Sequence, residues 1–172
     1  MKHRVMTLIA LAAMAAGCTG LPKGVEPVRG FELERYLGTW YEIARLDHPF
    51  ERGLERITAT YERRDDDGVR VLNRGYDPQA GDWREAEGKA YFIGPPDVGR
   101  LKVSFFGPFY GSYNIMALDE QAYRWAMICG PDTDYLWILS REPHLPEGVL
   151  ERLMEVASAR GFDTGQLIYV EH

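Results

Sequence analysis

The chain is poor in the residues that build redox, metal and nucleophilic sites. It has two cysteines, Cys18 and Cys129, and four histidines in 172 residues. His48, His144 and His172 stand far apart, and none has the close His/Cys pairing that ligates zinc. No Gly-x-Ser-x-Gly occurs, and no nucleophile, base and orienting group fall together, which leaves hydrolysis without candidate residues. No inward axial ligand for a haem or porphyrin is evident. Positive charge is short as well. The net charge of −6 argues against a nucleic-acid partner, because phosphate binding needs a basic face. There is no internal repeat, and no apolar run long enough to cross a membrane as a permanent helix.

What is present begins with a leader. Lys2 and Arg4 precede the apolar run 5–14, which ends in Ala15-Ala16-Gly17-Cys18. A basic end, a short apolar core and small residues make a secretory signal. The cysteine directly after these small residues resembles the lipobox of bacterial lipoproteins, with Ala15 where an aliphatic such as Leu is usual. The resemblance implies that Cys18 becomes the mature N-terminus and carries the N-acyl and S-diacylglycerol groups. The plainer alternative is a signal peptide with a chance cysteine. Thr19, standing where inner-membrane retention would place Asp, implies sorting to the outer membrane. Removing residues 1–17 takes away two cations and no acid, moving the net charge from −6 to −8. Cys129 is then the one free thiol, so no internal disulfide is possible and packing alone holds the fold.

Residues 19–30, with Pro22, Gly24, Pro27 and Gly30, read as a flexible tether spanning at most about 40 Å. Residues 31–37 read as one or two helical turns. Period-two segments follow at 39–46, 56–63, 69–76, 84–93, 100–106, 112–118, 123–129 and 135–141. They are separated by turn clusters such as Asp65-Asp66-Asp67-Gly68 and Gly130-Pro131-Asp132. Eight short antiparallel strands suit an up-and-down barrel or a sandwich. The period then lengthens: Val149, Leu150, Leu153, Met154, Val156 and Ala157 mark one helical face, and 167–170 reads as a last strand. A helix with one apolar stripe must lie on something, and the barrel's outside is the available surface.

The residues Gly38-Thr39-Trp40-Tyr41-Glu42-Ile43-Ala44-Arg45, Phe50-Glu51-Arg52-Gly53, Gly88-Lys89-Ala90-Tyr91-Phe92, 103–111 and Asp134-Tyr135-Leu136-Trp137-Ile138-Leu139-Ser140-Arg141 resemble the lipocalins, and specifically the bacterial outer-membrane lipocalins. The resemblance implies an all-β fold: an eight-stranded antiparallel up-and-down barrel over 31–172, with a C-terminal α-helix packed outside and a short final strand. Gly38, Trp40 and Arg141 are expected to close its base, with the guanidinium stacked on the indole. Thr133-Asp134-Tyr135 spells the family's middle motif one strand late. The matching position is Ala117-Leu118-Asp119.

Strand parity assigns the interior. Taking the first strand upward from a closed base, Glu42, Ala44 and Leu46 point inward. So do Ala86, Gly88, Ala90 and Phe92; Leu101, Val103 and Phe105; Tyr113, Ile115 and Ala117; and Tyr135, Trp137 and Leu139. From these rows Ala44, Phe92, Val103, Phe105, Tyr113, Ile115, Trp137 and Leu139 are the candidate ligand-binding residues. Tyr113, Tyr110 or Trp137 is placed near the mouth as holder of a polar headgroup, and Glu42 needs a partner, for which Arg124 is the candidate. Phe105, Phe106, Phe109 and Tyr110 form an aromatic lip, read either as loop packing or as a membrane-touching surface. The expected function is binding, storage or transport of hydrophobic molecules such as fatty acids and lysophospholipids by a lipid-anchored protein of the outer membrane, its barrel facing the periplasm. No catalysis, cofactor or metal is expected, and the membrane is reached through Cys18. The rival readings are a thiol isomerase using Cys129 in the cavity and a solid barrel serving as a structural or interaction protein; the seventh strand is apolar on both faces, and Cys129 is expected under the helix because buried free cysteines are usually core.

Overall fold

Strands form where β-branched and aromatic residues alternate with polar ones, and the turns fall at the Asp-, Gly- and Pro-rich clusters. The computed structural model describes residues 19–172, so the expectations for Cys18 and the leader lie outside the described residues. In chain order the elements are α1 (Leu33–Tyr36), β1 (Gly38–Arg45), β2 (Glu55–Arg63), β3 (Val69–Asp77), β4 (Asp82–Phe92), β5 (Arg100–Phe106), β6 (Phe109–Leu118), β7 (Trp125–Cys129), β8 (Leu136–Ser140), α2 (Val149–Ala159), a short 3-10 turn and β9 (Ile168–Tyr169). Each of β1–β8 pairs antiparallel with the next, and β8 returns to β1, so the sheet closes into an eight-stranded barrel. The wall pattern is plain on β3. Val69 and Val71 are buried, while Arg70 between them reaches across to Glu62 on β2 and Glu87 on β4, at 2.7 Å each.

Two bulges break the alternation. On β1, Glu42 faces Leu139 and Ala44 faces Ile138, which leaves Ile43 as an extra residue. On β6, Ile115 faces Ile128 and Ala117 faces Met127, which leaves Met116 as the extra one. One inserted residue sends every later side chain to the opposite face. It also frees backbone groups, and the C-terminal tail takes up those of β1. The Val170 N–H donates to the Ile43 carbonyl at 3.0 Å and the His172 ring to the Glu42 carbonyl at 2.7 Å. The Glu171 carbonyl accepts from the Arg56 N–H of β2 at 2.7 Å. The tail thus spans the seam where β1 has parted from β2, above the Tyr41–Thr58 pair.

Apolar side chains collect in two layers. The inner one fills the barrel with Tyr61, Val69, Val71, Leu101, Ile115, Ile128 and Leu139, and Phe31, Tyr36 and Trp40 close it at the base. The outer one lies between sheet and α2, where Val149, Leu153 and Ala157 cover Ala44, Met127, Cys129, Leu136 and Ile138. Each such side chain contributes roughly 1.5–3 kcal/mol when fully buried. Residues 19–30 are not a free tether. Val25 is buried, Leu21 packs on the outer layer, and Val28 bonds to the backbone of Gly99 and Ile115.

Candidate binding site

The base is closed as a polar-capped aromatic stack. Arg141 lies over the Trp40 ring, Cζ to centroid 3.9 Å. Its guanidinium donates to the carbonyls of Arg35 (2.7 Å), Thr39 (3.1 Å) and Tyr123 (3.3 Å), tying α1, β1 and the β6–β7 turn together. Gly38 has φ +97°, and a Cβ there would sit 3.3 Å from that guanidinium, so the position suits glycine on both counts. The Trp40 indole donates to the Tyr36 carbonyl at 2.8 Å. Above it the Tyr113 hydroxyl meets those of Tyr36 (2.6 Å) and Tyr61 (2.8 Å). Burial raises the pKa of all three phenols, which keeps them neutral.

The walls above this floor hold most of the expected residues. Ile115 and Leu139 are buried in the inner layer; Phe92, Val103, Phe105, Tyr113 and Trp137 pack against it with part of their surface accessible. Three inward assignments are corrected. Ala44, Leu46 and Ala117 belong to the outer layer, because each follows a bulge. Ala86 keeps the parity of Gly88 and Ala90 but is exposed, since β4 extends past the part paired with β5, which begins at Lys89. The headgroup candidates also move. Tyr113 is tied into the floor, and Tyr110 lies outside the barrel beside Lys102 and Tyr91. Phe105 turns inward, leaving Phe106 and Phe109 as the lip.

The β1 bulge brings Arg45, not Ala44, into the interior. Its Nη1 donates to Glu42 Oε1 at 3.2 Å, its Nη2 donates to the Glu51 carbonyl at 2.9 Å, and its Nε lies 3.8 Å from Glu51 Oε2. The Trp137 indole donates to the same Glu51 oxygen at 3.1 Å. Glu42 therefore pairs with Arg45. Arg124 instead binds Asp119 at 2.9 Å on the surface of the base turn. Burial, and then the neighbouring Glu51 charge, push the Glu42 pKa well up; burial pushes Glu51 up as well. His48 is buried beside them, stacked between Tyr135 (4.7 Å) and Phe50 (5.4 Å), with burial and then Arg45 holding its pKa low. Neither Arg45 Nε nor His48 Nε2, both buried, has a hydrogen-bond partner. Outside the barrel, one groove of about 620 Å³ runs along α2 and another of about 260 Å³ lies between Tyr41, Trp83 and His172.

Residues 31–172 match the family model described as a lipocalin-like domain. The chain belongs to the lipocalin family. This lipocalin is 54% identical over 168 residues to the outer membrane lipoprotein Blc of Vibrio cholerae, covering 98% of both chains. It is 54% identical to the protein of the same name from Escherichia coli K12, over 98% of this chain and 97% of that one. Among solved structures, insecticyanin from the tobacco hornworm shares the fold at a TM-score of 0.70, with 22% identity, 89% of this chain and 87% of that one covered.

In the lipocalin barrel Cys129 lies in the outer layer under α2, fully buried, and desolvation pushes its thiol up to about 12. It faces away from the interior. Sequence reasoning missed Arg45, Glu51 and His48 as interior groups. Glu51 and His48 come from the β1–β2 loop, which folds back into the mouth. The signal available was the cluster of ionisable residues 42–52 in a stretch that closes on an apolar barrel.

Proposed function

We propose that this lipocalin is a lipoprotein of the bacterial outer membrane, acylated on Cys18, and that its barrel binds, stores or carries fatty acids and lysophospholipids. The observation that carries the reading is the vertical order of the interior. A neutral tyrosine floor lies beneath partly accessible apolar walls (Phe92, Val103, Phe105 and Trp137), with the Arg45–Glu51 group towards the mouth. An alkyl chain would lie along the walls, with its head beside Arg45 and the Trp137 indole. Each buried methylene contributes about 0.8 kcal/mol, so a twelve-carbon chain gains roughly 10 kcal/mol gross. Lost freedom and ordering take several of these back, leaving affinity near micromolar. Such a site selects by length and shape.

Supporting the anchor are the Ala15-Ala16-Gly17-Cys18 sequence and the high identity to proteins named outer membrane lipoproteins. The inaccessible place of Cys129 weighs against the thiol-isomerase reading. Calorimetric titration with fatty acids and lysophospholipids of graded length tests the proposal. One-site binding that tightens with chain length up to a limit is expected. No heat and no saturation at any length would make the barrel a filled, structural one.

A further inference from the structure

The first described residues are fixed to one flank of the barrel. The Thr19 carbonyl accepts from Arg100 at 3.2 Å, and the Gly20 carbonyl from the buried Asn114 amide at 3.3 Å. The chain turns at Pro22–Val25, sets Leu21 and Val25 into the outer layer, and returns to β5–β6. There the Val28 N–H donates to the Ile115 carbonyl and its carbonyl accepts from the Gly99 N–H, each at 2.9 Å. A Cβ on Gly99 would stand 2.8 Å from Val28 Cγ2, so the close approach requires glycine. Thr19, one residue from Cys18, is therefore held beside the outward side chains of β5 and β6.

The same flank brings two independent features together. At its upper edge the paired residues Phe106 and Phe109 are 82% and 78% exposed. They stand about 17 Å above Asn114 along β6. Around and below them lie Lys23, Arg29, Lys89, Arg100 and Lys102, none of which forms an ion pair among the described residues. Elsewhere on the wall Arg63, Arg64, Arg70, Arg74 and Arg84 are each paired with a carboxylate, and Arg56 lies over the rings of Tyr76 and Trp83. A net-negative chain thus gathers unneutralised cations beneath an exposed aromatic edge, beside the start of its mature segment.

We propose that this β4–β6 flank docks on the anionic phospholipid surface in which Cys18 is anchored, with Phe106 and Phe109 among the headgroups, so that the mouth of the barrel opens at the membrane plane. The proposal rests on acylation of Cys18. Cations near an anionic leaflet and aromatic rings at its interface supply the attraction, and the pinned segment 19–28 fixes the side presented.

The test uses the acylated chain in vesicles of phosphatidylethanolamine and phosphatidylglycerol, with a polarity-sensitive fluorophore on Phe106→Cys or, in the base turn, on Asp65→Cys. Buried Cys129 stays unlabelled. The expected result is a blue-shifted emission at 106, quenched by nitroxide lipids, with neither effect at 65. Lys89→Glu with Lys102→Glu should reduce the quenching at 106 severalfold without lowering the melting temperature. A chain that does not float with the vesicles overturns the anchor and this proposal with it. A chain that floats while residue 106 stays in water overturns the docking alone. Shielding of 106 that follows protein concentration, and not lipid, assigns the flank to a second copy of the chain and also overturns it.

Discussion

At the base of the barrel, Trp40, Tyr36, Tyr61 and Tyr113 are joined by neutral hydrogen bonds, and the cation stacked on Trp40, Arg141, keeps an edge in water. Towards the mouth, Glu42, Arg45 and Glu51 place three ionisable groups in nearly complete burial. The base spends its polar atoms on backbone carbonyls and phenols that are already neutral, so little desolvation opposes it. The mouth retains charges whose burial is costly unless they are paired, and it leaves Arg45 Nε and His48 Nε2 without partners. One half is arranged for stability. The other holds buried polar groups above an apolar wall at a cost in stability.

The largest expected effect comes from breaking the base. Trp40→Ala should cost about 3–5 kcal/mol, since the indole is fully buried and bonded. For a chain of this size that lowers the melting temperature by about 10 °C. Arg141→Ala removes the donor to three carbonyls and should cost about 2 kcal/mol, measured by urea unfolding. Tyr113→Phe comes next. It leaves the Tyr36 and Tyr61 hydroxyls without their shared partner, for about 1–2 kcal/mol.

The mouth should respond in the opposite direction. Raised carboxylate pKa values mean that the folded state binds more protons than the unfolded one, so stability falls as pH rises above the ordinary glutamate value of 4.5 through the raised ones. Glu42→Gln removes that loss. Its melting temperature should exceed that of the parent at pH 8, with the gap closing as pH falls towards 4.5. A gap that widens on acidification would reverse the assignment. The smallest effect is expected at Arg124. Arg124 itself is largely exposed, and the buried Asp119 keeps the N–H groups of Ala122 and Arg124 as donors, so Arg124→Ala should change stability by no more than about 0.5 kcal/mol.

The base was legible in the sequence because its determinants are local and regular. Gly38-Thr39-Trp40 opens β1 and Arg141 follows β8, and strand direction alone brings them together. The strand bounds fall within three residues of expectation for the same reason. The mouth was not legible, because parity counting assumes an unbroken pleat. Ile43 and Met116 are ordinary strand residues, and nothing in their identity marks a bulge. The first bulge exchanges Ala44 for Arg45 in the interior and gives Glu42 a partner three residues away. The second turns Ala117 out under α2. The segment 19–30 misled through composition. Its prolines and glycines suggested a loose tether, whereas Gly24 supplies a turn and Gly99, far along the chain, supplies the space that lets Val28 dock.

The central claim, that the interior above the tyrosine floor is the binding site, is tested most directly by quenching with brominated fatty acids. Trp137 faces the interior near the mouth, Trp40 lies under the floor, and Trp83 and Trp125 sit on the outside. The account predicts saturable quenching that disappears in Trp137→Phe. Equal quenching in that variant would place the ligand on the outer surface and contradict the account.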